Sequence, residues 1–113
     1  MNLNNFTIKS QEAVQQAIQI ATVNGQQYIE NGHLLKGILE VDENVTPFLL
    51  KKLNVNTQMF SLALDKIVEG YPKVSGGQPF LSNHANQAIS KASTYLKEFG
   101  DEYVTIEHML LGI

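Results

Sequence analysis

Two histidines are the first side chains in this sequence that could carry out chemistry. His33 and His108 each open an apolar stretch, and imidazole can bind a metal ion or transfer a proton. A metal site on one helix needs a second ligand at a suitable spacing, but the residue four positions after His33 is Gly37. We therefore interpret both histidines as residues near a helix N-terminus that pack or hydrogen-bond locally.

Carboxylates and hydroxyl groups form the second set of candidates. Asp101, Glu102 and Glu107 cluster near a predicted helix start, where two carboxylates could act as general acid and base. A helix N-terminus also favours negative charge, and we prefer this interpretation. Thr7 and Ser82 would be nucleophiles only beside a base. Both stand directly before predicted helices, so helix capping explains them. Without a phosphate-binding loop or another catalytic constellation, the sequence predicts a binding module and not an enzyme.

The histidines and the hydroxyl residues Thr7 and Ser82 recur because the sequence contains two copies of one unit, 75 residues apart from Gly25 to Gly100. This spacing is longer than the roughly 20–50 residues of solenoid repeats, which favours a pseudo-twofold pair of small helical bundles. The pairs that keep their residue type through this motif are Gly25/Gly100, Tyr28/Tyr103, His33/His108, Leu35/Leu110, Gly37/Gly112 and Ile38/Ile113.

Apolar periodicity predicts an all-α fold in which both copies are helical. Thr7, Ser82 and Thr105 are predicted helix caps, as is Asn31, while Thr46 followed by proline marks a further start. The predicted helices span residues 8–24, 32–41, 48–53, 56 or 57 to 69, 83–99, and 106 onward. Repeat one covers about 1–70, a connector about 71–79, and repeat two about 80–113. Repeat two has no counterparts of the third and fourth helices, so we expect the natural protein to continue beyond residue 113.

Composition narrows the possible partners. Of the 113 residues, 43% are hydrophobic and 17% charged, with a net charge of −3, which argues against nucleic-acid binding. The absence of cysteine excludes disulfides and thiolate metal sites. The sequence contains no apolar run of membrane-spanning length and no signal-peptide pattern at the start. We therefore expect a cytoplasmic domain that binds neither nucleic acid, membrane nor cofactor.

Four segments together resemble the N-terminal domain of the Clp/Hsp100 AAA+ unfoldases. They are residues 5–13, 29–38, 45–50 and 103–113, and the resemblance extends over the whole chain. The connector, residues 72–77, is more similar to the ClpB disaggregase branch than to the protease-linked ClpA and ClpC branches. The resemblance implies one all-α domain, 1–113, that engages unfolded or aggregated polypeptides and is tethered to an ATPase ring.

The resemblance also implies properties of the parent protein and of individual residues. The parent would be a homohexamer that works with the DnaK chaperone system, and ATP and Mg would bind in modules outside this chain. In ClpB-type domains four residues contribute to client handling, and the matching positions here are Thr7, Ser82, Asp101 and Glu107. ClpC-type domains carry a glutamate before the histidine in both copies, but Gly32 replaces it in repeat one. A twofold pair of phosphoarginine sites is therefore not expected.

We expect clients to bind in an apolar groove beside the first helices of the two repeats. Those helices are rich in alanine, so they can approach the pseudo-twofold axis and leave apolar atoms at the surface between them. An extended polypeptide would cover such atoms without needing a defined sequence. Adaptor docking, as in the ClpA and ClpC branches, is the alternative. The groove residues predicted from periodicity are Phe6, Val14, Phe80, Leu81 and Ile89.

Overall fold

The computed structural model describes residues 2–74 and 77–113; residues 75 and 76, in the predicted connector, lie outside that description, as does residue 1. In chain order the elements are α1 (Ile8–Val23), β1 (Tyr28–Ile29), α2 (Asn31–Val41), α3 (Val45–Lys52), α4 (Thr57–Glu69), β2 (Phe80–Leu81), α5 (Asn83–Glu98) and α6 (Ile106–Gly112). The predicted all-α fold class is confirmed. The two short strands were not predicted.

The sequence repeat is visible in the backbone. Helices α1 and α5 each contain 16 residues and begin 75 positions apart, and α2 and α6 begin with the same offset. The hydroxyl oxygens of Thr7 and Ser82 each accept a hydrogen bond from an amide three residues later, at 3.1 Å. Gly25 and Gly100 follow these helices with φ of +68° and +70°, which a side chain would disfavour. The predicted caps Thr7 and Ser82 and the helices that follow them are thus confirmed, whereas the limits of the repeats stay a prediction.

The alanine face of α1 packs against α2. A methyl group added to Gly37 would collide with the Ala13 carbonyl oxygen and lie 3.1 Å from the Ala17 nitrogen. Gly112 of α6 approaches the equivalent positions of α5 equally closely. Glycine therefore allows each helix pair to meet backbone to backbone. The alanines of both helices are buried in one core cluster, so they do not line a groove at the surface, as the sequence suggested.

Short backbone pairings join the two repeats reciprocally. The parallel pair β1–β2 places Ile29 beside Leu81, and an isolated parallel bridge places Phe6 beside Val104 at the equivalent positions. The amide directly after Phe6 donates to the Val104 carbonyl at 2.9 Å, and the amide directly after Leu81 donates to the Ile29 carbonyl at 3.0 Å. The segment directly before the first helix of each repeat therefore forms backbone hydrogen bonds with the other repeat.

Two helix starts differ from the predictions. The cap of α2 is Glu30, and the predicted cap Asn31 is the first helical residue. Helix α3 begins at Val45, three residues earlier than predicted, because the Asp42 carboxylate accepts from the amides of residues 44–46 at 2.7–3.1 Å. Burial acts to raise the pKa of Asp42, but hydrogen bonds from Thr46 and the two preceding amides outweigh it and lower that pKa. A buried aspartate thus replaces the predicted Thr46 cap.

Helix α4 buries one side and exposes the other. Leu64 and Val68 are buried in a small second cluster beneath α2. On the outer side Met59, Leu62 and Ile67 are 70%, 63% and 55% exposed. We refer to these three residues as the α4 face.

Candidate functional site

The two histidines of the repeat motif make the same local contacts. His33 and His108 are the third residues of α2 and α6, and each ring Nδ1 accepts the amide hydrogen of the N-cap residue at 2.9 Å. Since Nδ1 accepts, Nε2 carries the proton in the neutral ring. His33 Nε2 donates to Gln26 Oε1 at 2.6 Å, and His108 Nε2 donates to Asp101 Oδ2 at 2.9 Å. The local interpretation of both histidines is therefore supported by four hydrogen bonds.

The histidine of repeat one is part of the core. His33 has no exposed surface, and burial lowers its pKa to about 4, with Glu30 opposing the shift and Lys36 adding to it. Gln26 is also buried, and its Nε2 donates to the carbonyls of Val68 and Tyr71 at 2.6 and 3.3 Å. This neutral network connects the end of α4 to the start of α2, so its role is structural.

The side chain of Tyr71 covers this histidine. Its ring centroid lies 5.0 Å from that of His33, with an interplanar angle of 39°. Its phenolic oxygen lies against Gly32, so close that a Cβ on that glycine would be 2.5 Å away. Burial raises the pKa of the Tyr71 phenol, and a hydrogen bond from the Gly32 backbone opposes the rise. The N-terminal end of α2 is thus closed by a residue of the same chain.

At the equivalent end of α6 the described residues leave a cleft of about 510 Å³, which we call the acidic cleft. It brings together Thr7, Asp101 and Glu107, three of the four client-handling positions implied by the resemblance, although Thr7 belongs to the other repeat. Their remaining neighbours are Phe99, Glu102, Tyr103, Thr105, His108 and Leu111.

The walls of the acidic cleft combine aromatic and apolar surface with negative charge. Phe99, Tyr103 and Leu111 are 55%, 54% and 55% exposed. The Phe99 ring stacks on His108 with centroids 6.0 Å apart, which holds one wall in place. Asp101 is half-exposed, with one carboxylate oxygen bonded to His108. The arrangement can bind an apolar side chain and attract a cationic one, but it contains no activated nucleophile.

The structure separates the predicted groove residues. Phe6 and Val14 are 3% and 0% exposed, since both pack in the main core, so neither offers surface to a client. Leu81 and Ile89 are half-buried, and Phe80 is exposed with its ring 4.9 Å from Tyr28. A groove of about 370 Å³ between α1 and α5, here named the seam groove, is lined by Ile18, Ile29, Pro79, Phe80, Leu81 and Asn86.

Ser82 and the acidic-cleft residues lie in different places. Ser82 caps α5 beside β1 and does not line the acidic cleft, so the four implied positions do not form one site. Sequence reasoning missed Phe99, Tyr103 and Leu111 as site residues. At positions 99 and 111 repeat one has Asn24 and Lys36, so the change from polar to apolar between the repeats was the available signal, whereas Tyr103 is the same as Tyr28 and gave none.

Within the described residues, 2–74 and 77–113, no group of three or more histidine, cysteine, aspartate or glutamate side chains is placed to hold a metal ion. In the same part of the chain, every helix is too short or too polar to span a membrane.

Comparison with known proteins identifies a family. Residues 5–113 match the family described as Clp repeat (R) N-terminal domain. The chain is 53% identical over 113 residues to the chaperone protein ClpB of Bacteroides thetaiotaomicron and 45% identical over 113 residues to that of Porphyromonas gingivalis. Each alignment covers 100% of this chain and 13% of the relative, so the chain spans about an eighth of the length of these curated relatives.

Solved structures show the same fold at low identity. The Hsp104 N-terminal domain from Candida albicans superposes with a TM-score of 0.88 at 19% identity, covering 96% of this chain and 73% of that one. The N-terminal domain of the ClpV1 ATPase from E. coli superposes with a TM-score of 0.89 at 18% identity, covering 97% of this chain and 68% of that one.

Proposed function

This chain belongs to the family of Clp repeat N-terminal domains, and on that premise we propose that it is the client-binding module of a ClpB-like ATP-dependent disaggregase. Its clients are unfolded or aggregated polypeptides, which bind without chemical change. The module itself catalyses nothing.

One observation carries this proposal: the acidic cleft combines exposed apolar walls with carboxylates at its rim. Phe99, Tyr103 and Leu111 lie within the reach of one extended peptide segment, since all three line the same cleft. Grooves of this kind bind extended segments by burying alternate side chains. Asp101 and Glu107 are exposed beside these walls and attract clients that carry lysine or arginine. Salt screens this attraction, so binding weakens as ionic strength rises.

Affinity at this site is modest. The cleft is open and shallow, and an unfolded client loses conformational freedom when it binds. The dissociation constant is therefore roughly micromolar or weaker. Weak, sequence-tolerant binding suits a module that must release its client to an unfolding motor.

The activity of the whole protein lies outside this chain. We propose that the parent is a cytoplasmic homohexamer that works with the DnaK chaperone system, and that its ATP and Mg sites are in other modules. The name of the ClpB relatives supports a chaperone as the parent. The hexamer, the DnaK partnership and the ATP dependence rest on the family resemblance.

A second candidate function is the docking of a folded adaptor, as in protease-linked unfoldases. The α4 face favours it, because Met59, Leu62 and Ile67 are large apolar side chains left exposed on one helix. Exposed apolar side chains on a rigid helix suit a preformed partner surface.

A titration with reduced casein, monitored by NMR of this 113-residue chain, tests the proposal. Leu111→Ser and Leu62→Ser form a matched pair, since the two leucines are 55% and 63% exposed on different surfaces. We expect Leu111→Ser to weaken binding at least about fivefold, consistent with losing roughly 1 kcal/mol of apolar contact, and Leu62→Ser to leave it unchanged.

The same titration separates the alternatives. Loss of binding with Leu62→Ser alone would transfer the function to the α4 face, and loss with Phe80→Ser alone would transfer it to the seam groove. Shifts confined to the 42–57 loop, or no shifts at millimolar concentration, would contradict client binding at the acidic cleft.

A further inference from the structure

Repeat one contains two asparagines that directly precede glycine, Asn24 before Gly25 and Asn31 before Gly32. Asparagine is a thermally labile residue in proteins. Its side-chain carbonyl is open to attack by the backbone nitrogen of the next residue, and glycine in that place has no side chain to hinder the attack. The surroundings of the two pairs differ, so the structure decides which of them reacts.

Gly25 lies exposed at the end of a helix. It follows Asn24, the C-cap residue of α1, and has nothing within 4 Å of the place where a Cβ would be. Its amide donates to the Thr22 carbonyl at 3.1 Å, a bond in the last turn of the helix. Helix ends fray at little cost in free energy. The Gly25 nitrogen therefore becomes free by a local opening.

Gly32 is enclosed by the rest of the domain. It is the second residue of α2 and is buried, and a Cβ added to it would lie 2.5 Å from the Tyr71 phenolic oxygen. A hydrogen bond from the Gly32 backbone lowers the pKa of that phenol, against the larger effect of burial. The amide nitrogen is the backbone donor of a residue. The atom that would attack Asn31 is therefore already bonded to Tyr71.

We propose that Asn24 is a site of spontaneous deamidation and that Asn31 is protected from the same reaction. The Gly25 nitrogen loses its proton to hydroxide and forms a bond to Asn24 Cγ. The bond from Cγ to Nδ2 breaks, and ammonia leaves after taking a proton from water. Water then opens the succinimide ring at either carbonyl, which gives aspartate or isoaspartate. The reaction needs only water and does not depend on client binding at the acidic cleft.

The new carboxylate changes the buried network of His33. Asn24 Nδ2 donates to Gln26 Oε1 at 3.4 Å, and the same oxygen accepts from His33 Nε2 at 2.6 Å. A carboxylate has no hydrogen to donate, so it repels the Gln26 oxygen. Its negative charge also lies at the C-terminus of α1, where the helix dipole disfavours it. Deamidation therefore weakens the junction between α1 and α2.

Isoaspartate also acts on the connector between the repeats. In this product the main chain runs through Cγ, which adds one backbone atom directly before Gly25. The Gly25 carbonyl accepts from the Val74 amide at 2.9 Å, and the longer main chain displaces that carbonyl. Domains that have aged in this way hold the connector less firmly.

Incubation of the folded 113-residue chain at mildly alkaline pH tests the site, with tandem mass spectrometry to assign each product and enzymatic methylation to detect isoaspartate. We expect Asn24 to react at least about tenfold faster than Asn31, because a helix end opens more readily than an enclosed turn. Asn24→Gln should abolish the reaction of the folded chain, since the longer side chain closes a ring far more slowly. The matched Asn31→Gln should leave it unchanged. In urea both asparagines should react at similar rates.

Equal rates at Asn24 and Asn31 in the folded chain would overturn the proposal, as would an intact Asn24 after the chain in urea has reacted. Asn24→Asp reproduces one product and tests its effect. It should lower Tm and shift the His33 ring signals, whereas Asn4→Asp, at an exposed asparagine, should do neither. Unchanged Tm and His33 signals in Asn24→Asp would overturn the coupling to the buried network.

Discussion

The histidine centre of repeat one and that of repeat two share a backbone but differ in surroundings. His33 is buried among Gln26 and Tyr71, while His108 bonds a half-exposed Asp101 at the edge of a cleft. Both histidines fix the first turn of a helix through the same amide contact. The repeated motif thus encodes helix architecture, and the residues that differ between the copies set the charge around each histidine.

The largest expected effect comes from acidification, which acts on repeat one. The pKa of His33 is lowered from 6.5 to about 4 because burial disfavours the charged ring. Unfolded chains therefore bind a proton near pH 6.5 that folded chains bind only near pH 4. His33 contributes its full stability above pH 6.5, and up to about 3 kcal/mol of it is lost as pH falls to about 4.

Urea unfolding between pH 7 and 4 measures this effect. His33→Gln should reduce the slope of the unfolding free energy against pH, and His84→Gln, at an exposed histidine, should not. A slope that is unchanged in His33→Gln would show that carboxylates alone account for the acid sensitivity.

The next effect concerns the two close helix approaches. Gly37→Ala should destabilise the domain by about 1–3 kcal/mol, because the new methyl group meets the Ala13 carbonyl oxygen. Gly112→Ala meets the equivalent obstacle, the Ala88 carbonyl oxygen, and should cost a similar amount. Thermal unfolding of the two variants measures both losses of stability. A larger cost at Gly112 would mean that α6 is held more rigidly than α2.

The smallest expected effect is the difference in stability loss between two helix-cap variants. Thr7→Ala and Ser82→Ala should each cost about 1 kcal/mol through loss of an N-cap. Thr7 also donates its hydroxyl hydrogen to Ser10 at 2.8 Å, a bond that Ser82 lacks because Ala85 replaces the serine, so Thr7→Ala should be slightly more destabilising. Urea unfolding measures both losses. If Thr7→Ala weakened casein binding at unchanged stability, its hydroxyl group would be a direct client contact.

Sequence reasoning succeeded where structure is set by neighbours in the chain. The Thr7, Ser82 and Thr105 caps were predictable because capping joins residues three positions apart. The equivalence of Gly25 and Gly100 was visible in the repeat and needed no knowledge of tertiary contacts.

Features that depend on distant residues were not predictable. The burial of Phe6 follows from its bridge to Val104, and two-residue strands have no periodicity to detect. The alanine face of α1 was recognised, but the apolar periodicity of the sequence does not show that Gly37 packs on this face. The closure of repeat one by Tyr71 depends on Gly32, whose lack of a side chain looks neutral in the sequence.

The reciprocal backbone pairing of the repeats has a consequence for the order of events during synthesis. Phe6 emerges from the ribosome early, but its bridging partner Val104 is made almost a whole chain later, and Ile29 must wait for Leu81. Until the second bundle exists, the nascent first bundle therefore has backbone groups whose hydrogen-bonding partners have not yet been made. Pairings between such distant residues slow folding, because the chain must close long loops before they form. These pairings can therefore form only after Val104 has been translated, and release of the first bundle alone would yield an incomplete structure.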